Sequence, residues 1–112
     1  MGFDPYGAIR PTPYHSKFAR DCSMDFEWDQ RKARSNQSKH GISFLEATEV
    51  FSDDYSSCVH DPDHSYDEDR YLLFGESLTG DHLVVSFTEI ADTIRIISSR
   101  PMTRQERNAY ER

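Results

Sequence analysis

Three runs decide how this chain is read: Tyr71-Leu72-Leu73-Phe74-Gly75-Glu76, His82-Leu83-Val84-Val85-Ser86-Phe87-Thr88 and Thr93-Ile94-Arg95-Ile96-Ile97-Ser98-Ser99. Each is rich in β-branched and aromatic residues and is bounded by turn formers, the pattern of a strand. Between them stand Ser77-Leu78-Thr79-Gly80-Asp81 and Glu89-Ile90-Ala91-Asp92, short enough for hairpin connections. An antiparallel meander follows from this. Residues 55–60 are a candidate for an earlier strand, and Pro101 stops the last one.

Working outward, residues 24–28 suit a short strand, and Asp29 is an N-cap for a helix over residues 30–40. That helix has no apolar stripe beyond Ala33. Lys39 and His40 in its last turn complement the helix dipole, and Gly41 takes the position after it where positive φ is common. Ser43-x-x-Glu46 is a capping box opening a second helix, whose Phe44, Ala47, Thr48 and Phe51 recur at helical spacing. Asp53-Asp54 ends it. Thr103-x-x-Glu106 opens a third helix in the same way. The order β-α-α-β-β-β-β-α predicts an α+β fold, an antiparallel sheet with the helices packed on one face. Residues 1–23 carry three prolines and no periodicity, and are expected to be an irregular extension to a domain over residues 24–112.

The chain has 112 residues and a net charge of −7, enough for one domain with one modest core. Two cysteines, Cys22 and Cys58, suit a reducing compartment better than a disulfide framework. No apolar run approaches the roughly 18 residues that span a bilayer. The N-terminus has no apolar core of a secretory signal. A soluble, cytoplasmic protein is expected. The acidity argues against nucleic acid as a partner, but the charge is segregated. Residues 30–45 hold Arg31, Lys32, Arg34 and Lys39 and no acid. Residues 46–92 hold thirteen acids and one base, Arg70. Residues 93–112 hold five arginines against two glutamates. If the first helix, the last strand and the last helix share a face, that face is basic.

Several motifs occur in one order: Phe26-Glu27-Trp28-Asp29; Lys39-His40-Gly41-Ile42-Ser43-Phe44; Asp61-Pro62-Asp63-His64-Ser65; Glu68-Asp69-Arg70; Ile94-Arg95-Ile96-Ile97-Ser98-Ser99-Arg100; and Arg104-Gln105-Glu106-Arg107-Asn108-Ala109-Tyr110. From about residue 24 to the C-terminus the chain resembles the BrnT family of ribonuclease toxins from bacterial toxin–antitoxin pairs. The resemblance implies a RelE-like fold and an RNA endonuclease that slows translation without a cofactor. It also implies a partner, a ribbon-helix-helix, BrnA-like antitoxin that blocks the toxin and contacts operator DNA, in a hetero-oligomer of four chains or more.

Metal-free RNA cleavage lets the 2′-OH attack the adjacent phosphorus. It needs a base, a donor for the leaving 5′-oxygen, and cations for the charge on phosphorus. Guanidinium suits the last role because it stays protonated and can meet two phosphate oxygens. Arg95 and Arg70 are the expected stabilisers, with Arg100 assisting. On a regular strand, however, Arg95, Ile97 and Ser99 share one face, so Arg100 alternates away unless the chain bends before Pro101. Each arginine could instead form a surface ion pair. His40 or Glu68 is the candidate base or acid, although His40 with Lys39 could simply cap the helix and Glu68 could pair with Arg70. Lys39 is a phosphate-binding candidate, and Tyr110 is either core or a hydroxyl offered to the substrate. Trp28 and Phe44 are expected in the core. Cys58, His60, Asp61, Asp63 and His64 fit no closed four-ligand metal pattern, so a polar loop is expected there and no metal. Two rival readings remain: a non-catalytic binding module of the same fold, and a metal-dependent hydrolase at that cluster.

Overall fold

In the computed structural model, which describes residues 25–61 and 69–111, the order is β1 (Asp25–Glu27), α1 (Gln30–His40), α2 (Phe44–Val50), β2 (Ser57–His60), β3 (Tyr71–Glu76), β4 (His82–Ile90), β5 (Thr93–Pro101) and α3 (Arg104–Tyr110). The α+β reading holds. The five strands form one sheet in the order β1-β5-β4-β3-β2. β2 to β5 make the expected antiparallel meander. β1 departs from it by joining β5 in parallel, with Asp25, Phe26 and Glu27 opposite Thr93, Ile94 and Arg95. The sheet is therefore mixed. The α1–α2 excursion and the meander lie between the two partners in sequence, and they return the chain to β1 in the parallel sense. The β4–β5 turn is also tighter than expected. Both strands extend to leave Ala91 and Asp92 alone between them, with Ala91 at φ 56°.

α1 and α2 pack on one face. Ser43 caps α2 by accepting from the Glu46 N–H, and α2 buries Phe44, Ala47 and Val50. Phe51 follows, its ring set edge-on to Phe26 and Phe87 at 5.2 and 5.0 Å. Alternating residues of the sheet complete this core: Tyr71 and Leu73 on β3, Leu83, Val85 and Phe87 on β4, Ile94 and Ile96 on β5. Trp28 packs against it, edge-on to Phe44 at 5.9 Å. Gly75 is required by close approach, since a Cβ there would stand 2.7 Å from Val50 Cγ1.

α3 does not join that layer. It sits over the opposite face of the sheet at one end, where Glu106, Ala109 and Tyr110 line a cleft with Ser57 and Phe74 and Glu106 bonds Arg100. Thr103 and Glu106 form the predicted capping box. The Tyr110 hydroxyl donates to the Asp53 carboxylate, whose Oδ2 also accepts from the Glu76 N–H at 2.9 Å. Asp53 thus ties the end of α2 to β3 and α3.

Candidate active site

The site is built around an irregularity in β5. Along β4, Thr88 faces Arg95 and Phe87 faces Ile96, but Ser86 faces Ser98, so Ile97 is an extra residue. Such a bulge resets the alternation. Without it, Arg100 would share a face with Ile94 and Ile96 and its guanidinium would enter the apolar core, an expensive burial. With it, Ser99 takes the core side, fully buried, while Arg95, Ser98 and Arg100 share the opposite face. The regular-strand expectation that set Arg95 apart from Arg100 is corrected by this one residue.

On that face the pairing gives a map. Arg95 lies beside Thr88, Ser98 beside Ser86, and Arg100 beside Val84. Four residues of β4 separate the two arginines' partners, about 13 Å at strand rise. Arg70 immediately precedes Tyr71, whose partner is Phe87, so continuation of the register sets Arg70 next to Thr88. Strand spacing then separates Arg70 from Arg95 by about 10 Å across β4. The Arg70 carbonyl accepts from the Asp61 N–H at 2.8 Å, and Thr88 Oγ1 donates to the Asp69 carbonyl at 2.8 Å, which fixes this entry to β3.

Two of the arginines are paired in different ways. Arg95 Nη1 meets Glu27 Oε2 at 2.7 Å, with both side chains more than two-fifths exposed. An exposed pair of this kind contributes about 0–1 kcal/mol and opens easily. Arg100 is held by both Glu106 oxygens, at 2.8 and 2.9 Å. Glu106 Oε1 also accepts from the Thr103 N–H at 2.8 Å. The Arg100 hydrogen bonds hold the Glu106 carboxyl down to about 2. Arg100 thereby orients α3, whereas Arg95 is the more readily released cation.

Lys39 and His40 arrive from another direction. β1 ends opposite Arg95, and beyond it α1 lines the exposed edge of β5. Asn36, buried on α1, donates from Nδ2 to the Ser99 carbonyl at 2.8 Å and to the Ile42 carbonyl at 3.0 Å. Its Oδ1 accepts from the Ser99 N–H at 3.1 Å. One side chain stands in for the missing strand. Lys39 is one turn further on, so Lys39 and His40 lie along the edge next to Ser99 and Arg100, away from the Arg95 end. Gly41 at φ 74° ends the helix as expected. Neither Lys39 nor His40 is bonded to another described side chain. Arg31, Lys32, Arg34 and Lys39 are all exposed, so α1 presents a cationic ridge beside the arginine face.

Tyr110 is engaged at the far end of the sheet. Its ring is edge-on to His82 at 5.7 Å. Burial, and then its bond to Asp53, push the phenol well above its ordinary value, so it remains a neutral donor. Glu68 lies outside the described residues, as do Asp63, His64, Cys22 and the extension over residues 1–23. Cys58 is buried in the core, and the His60 ring lies against Tyr71 at 5.2 Å. Among the described residues no group of three or more His, Cys, Asp or Glu is placed to hold a metal ion, and no helix is long and apolar enough to cross a membrane. The sequence reading passed over Glu27 and Asn36. For Glu27 the available signal was its place at the end of the first strand. Asn36 carried none, because a polar residue in a polar helix is unremarked until its partner is known.

The sequence model of a family described as "Ribonuclease toxin, BrnT, of type II toxin-antitoxin system" matches residues 28–106. A search of curated proteins finds no significant match. Among solved structures, the 1.1 Å crystal structure of the Brucella abortus ribonuclease toxin BrnT superposes with a TM-score of 0.56 at 24% identity, over 73% of this chain and 100% of that one. That likeness speaks for the fold, and the family match spans most of the described sheet and helices. The chain belongs to the BrnT family of ribonuclease toxins of type II toxin–antitoxin systems.

Proposed function

We propose that this protein is an endoribonuclease toxin that cuts cytoplasmic RNA, slows translation and needs no metal. Family membership supports the reaction class. The observation that supports the site is the β5 bulge, which returns Arg100 to the face of Arg95, with Arg70 across β4. RNA would lie along this face with its phosphates also meeting the α1 ridge, Lys39 included. Arg95 leaves Glu27 for the scissile phosphate, and with Arg70 it stabilises the charge that grows on phosphorus as the 2′-OH attacks. The bond from phosphorus to the 5′-oxygen breaks, leaving a 2′,3′-cyclic phosphate and a 5′-hydroxyl. Arg100, oriented by Glu106 and two rows further along the same face, assists by holding a neighbouring phosphate of the RNA. Of the two acid–base candidates, Glu68 is two residues from Arg70 in sequence and takes the 2′-OH proton, whereas His40, at the Arg100 end, is beyond hydrogen-bond reach of a phosphate at Arg95. A ribbon-helix-helix antitoxin is the partner, and operator DNA is reached only through it.

The test is cleavage of RNA by purified protein in EDTA. Arg95→Ala is expected to lose about a hundredfold in rate and to keep its fold, since it gives up only an exposed pair. Cleavage at the unaltered rate would end the assignment. A second reading, a non-catalytic module of the same fold, is favoured by the pairing of both Arg95 and Arg100 with carboxylates. Harmless expression of the chain alone, with tight partner binding and no cleavage, would establish that reading instead.

A further inference from the structure

The pole formed by α2 and the β3–β4 turn has a composition of its own. Of the four large apolar side chains exposed among the described residues, three belong to α2 and what it holds: Leu45, Tyr55 and Leu78, at 67, 79 and 79% exposure. They are rigidly mounted. The β3–β4 turn is clamped onto α2, with Leu78 N–H donating to Glu49 Oε1 at 3.0 Å and Ser77 and Thr79 hydroxyls donating to Glu46 Oε2 at 2.9 and 3.1 Å. Leu45 and Glu49 are one helical turn apart, neighbours on one face, so the backbone of Leu78 is bonded to the same face of α2 that carries Leu45. Tyr55 N–H donates to Asp53 at 2.9 Å, and Asp53 holds the Glu76 end of β3, so the tyrosine stands at the same pole.

The rim is acidic. Residues 43–58 and 71–81 contain no Lys or Arg. Glu46 is held against Asp81, and that contact, followed by burial, raises its carboxyl above the ordinary value. Two carboxyl groups pressed together in this way favour any cation that comes between them. The nearby cation, Arg107, lines the same cleft as Asp81 but is turned to Glu111 at 3.9 Å.

We infer that this pole, Leu45 and Leu78 within the rim of Glu46, Glu49 and Asp81, is the docking face for an antitoxin segment that combines apolar anchors with Lys or Arg. The inference rests on the toxin–antitoxin reading. It commits to a basic partner because a second copy of this acidic face would meet its own charge, and like charge across an interface is repelled. Isolated exposed leucines need no explanation, but two mounted on one helix and the turn bonded to it, in a charged frame, supply the apolar centre and polar rim of an interface.

The experiment uses the full chain and the purified product of the adjacent open reading frame, with affinity measured by calorimetry at two salt concentrations. Leu45→Ser with Leu78→Ser is expected to weaken binding at least about tenfold while leaving RNA cleavage unchanged. Both residues are exposed, so the fold is unaffected. Glu49→Gln keeps the acceptor for Leu78 N–H and removes the charge. It should weaken binding at low salt more than at high salt. Binding that ignores both changes would overturn the inference and leave the pairing intact. Failure of the product to bind the unaltered chain would overturn the pairing and the inference with it. A dimer of the chain alone that the leucine double variant dissolves would assign the face to a second copy, and would also overturn it.

Discussion

α1 and α2 are consecutive, cover the same sheet and are held by opposite means. α2 is fastened by burial, with Phe44, Ala47, Val50 and then Phe51 in the main core. α1 buries one residue, Asn36, and that residue is polar. Its remaining surface is given to cations. A helix that needs no apolar stripe can carry charge around most of its circumference, and this one is fixed by three hydrogen bonds from a single amide. Glu46, Glu49, Asp53, Asp54, Glu76 and Asp81 instead surround α2 and the β3–β4 turn, with no Lys or Arg among residues 43–58 and 71–81. A net charge of −7 therefore leaves α1 locally cationic, as the proposed RNA path requires.

The contrast can be broken first at α2. Phe51→Ala empties a site 1% exposed between two aromatic rings and should cost about 3–5 kcal/mol in denaturant unfolding. A cost below about 1.5 kcal/mol, the size of a volume-conserving swap, would mean that α2 is not held by its apolar face. At α1 the corresponding change is Asn36→Ala. It strands the Ser99 N–H and leaves two carbonyls short of a donor, with an expected loss of about 2–3 kcal/mol and faster amide exchange at Ser99. Asn36→Leu should do no better despite its added apolar surface. Rescue by leucine would show that packing, and not the amide, anchors the helix.

Acid tests the hold on α3. The folded-state pKa of Glu106 is depressed to about 2, below the ordinary value of about 4.3. The stability it contributes is therefore complete above that ordinary value and is lost as pH falls through about 2. Glu106→Gln should flatten the fall in stability between about pH 5 and pH 2, read from unfolding midpoints. An unchanged acid limb would show that the Arg100–Glu106 bond carries no stability. The smallest effect on stability is expected from Arg31→Glu with Arg34→Glu, within about 0.5 kcal/mol, since both side chains are exposed and neither is hydrogen-bonded to another described side chain. RNA binding should nevertheless lose salt dependence, by about 0.7 in the log–log slope for each phosphate contact removed. A slope that does not move would take α1 out of the RNA path.

Much of the fold was legible because its signals are local. Asp29, Ser43 and Thr103 cap the helices they announce, Gly41 closes α1, and the three strand runs pair as their spacing implies. The site was legible only as a set of residue types. Arg95 and Arg100 could be named as cations, but alternation counted along one strand assigned them to opposite faces. Tyr110 could not be divided between core and substrate until Asp53 was seen to hold its hydroxyl. Asn36 gave no warning and Glu27 only its place at the end of the first strand, since the role of each depends on a partner more than sixty residues away in sequence.

What the amino-acid order determined by itself was the succession of elements and the separation of charge along them, both consequences of neighbours within a few residues. What only the tertiary structure decided was which way the arginines of β5 point, how β1 pairs and where α1 sits. The reason is that a bulge exists only relative to the strand it faces. Ile97 is surplus to β5 solely because Ser86 and Phe87 of β4 take Ser98 and Ile96 as partners, and that choice is enforced by keeping a guanidinium out of the core.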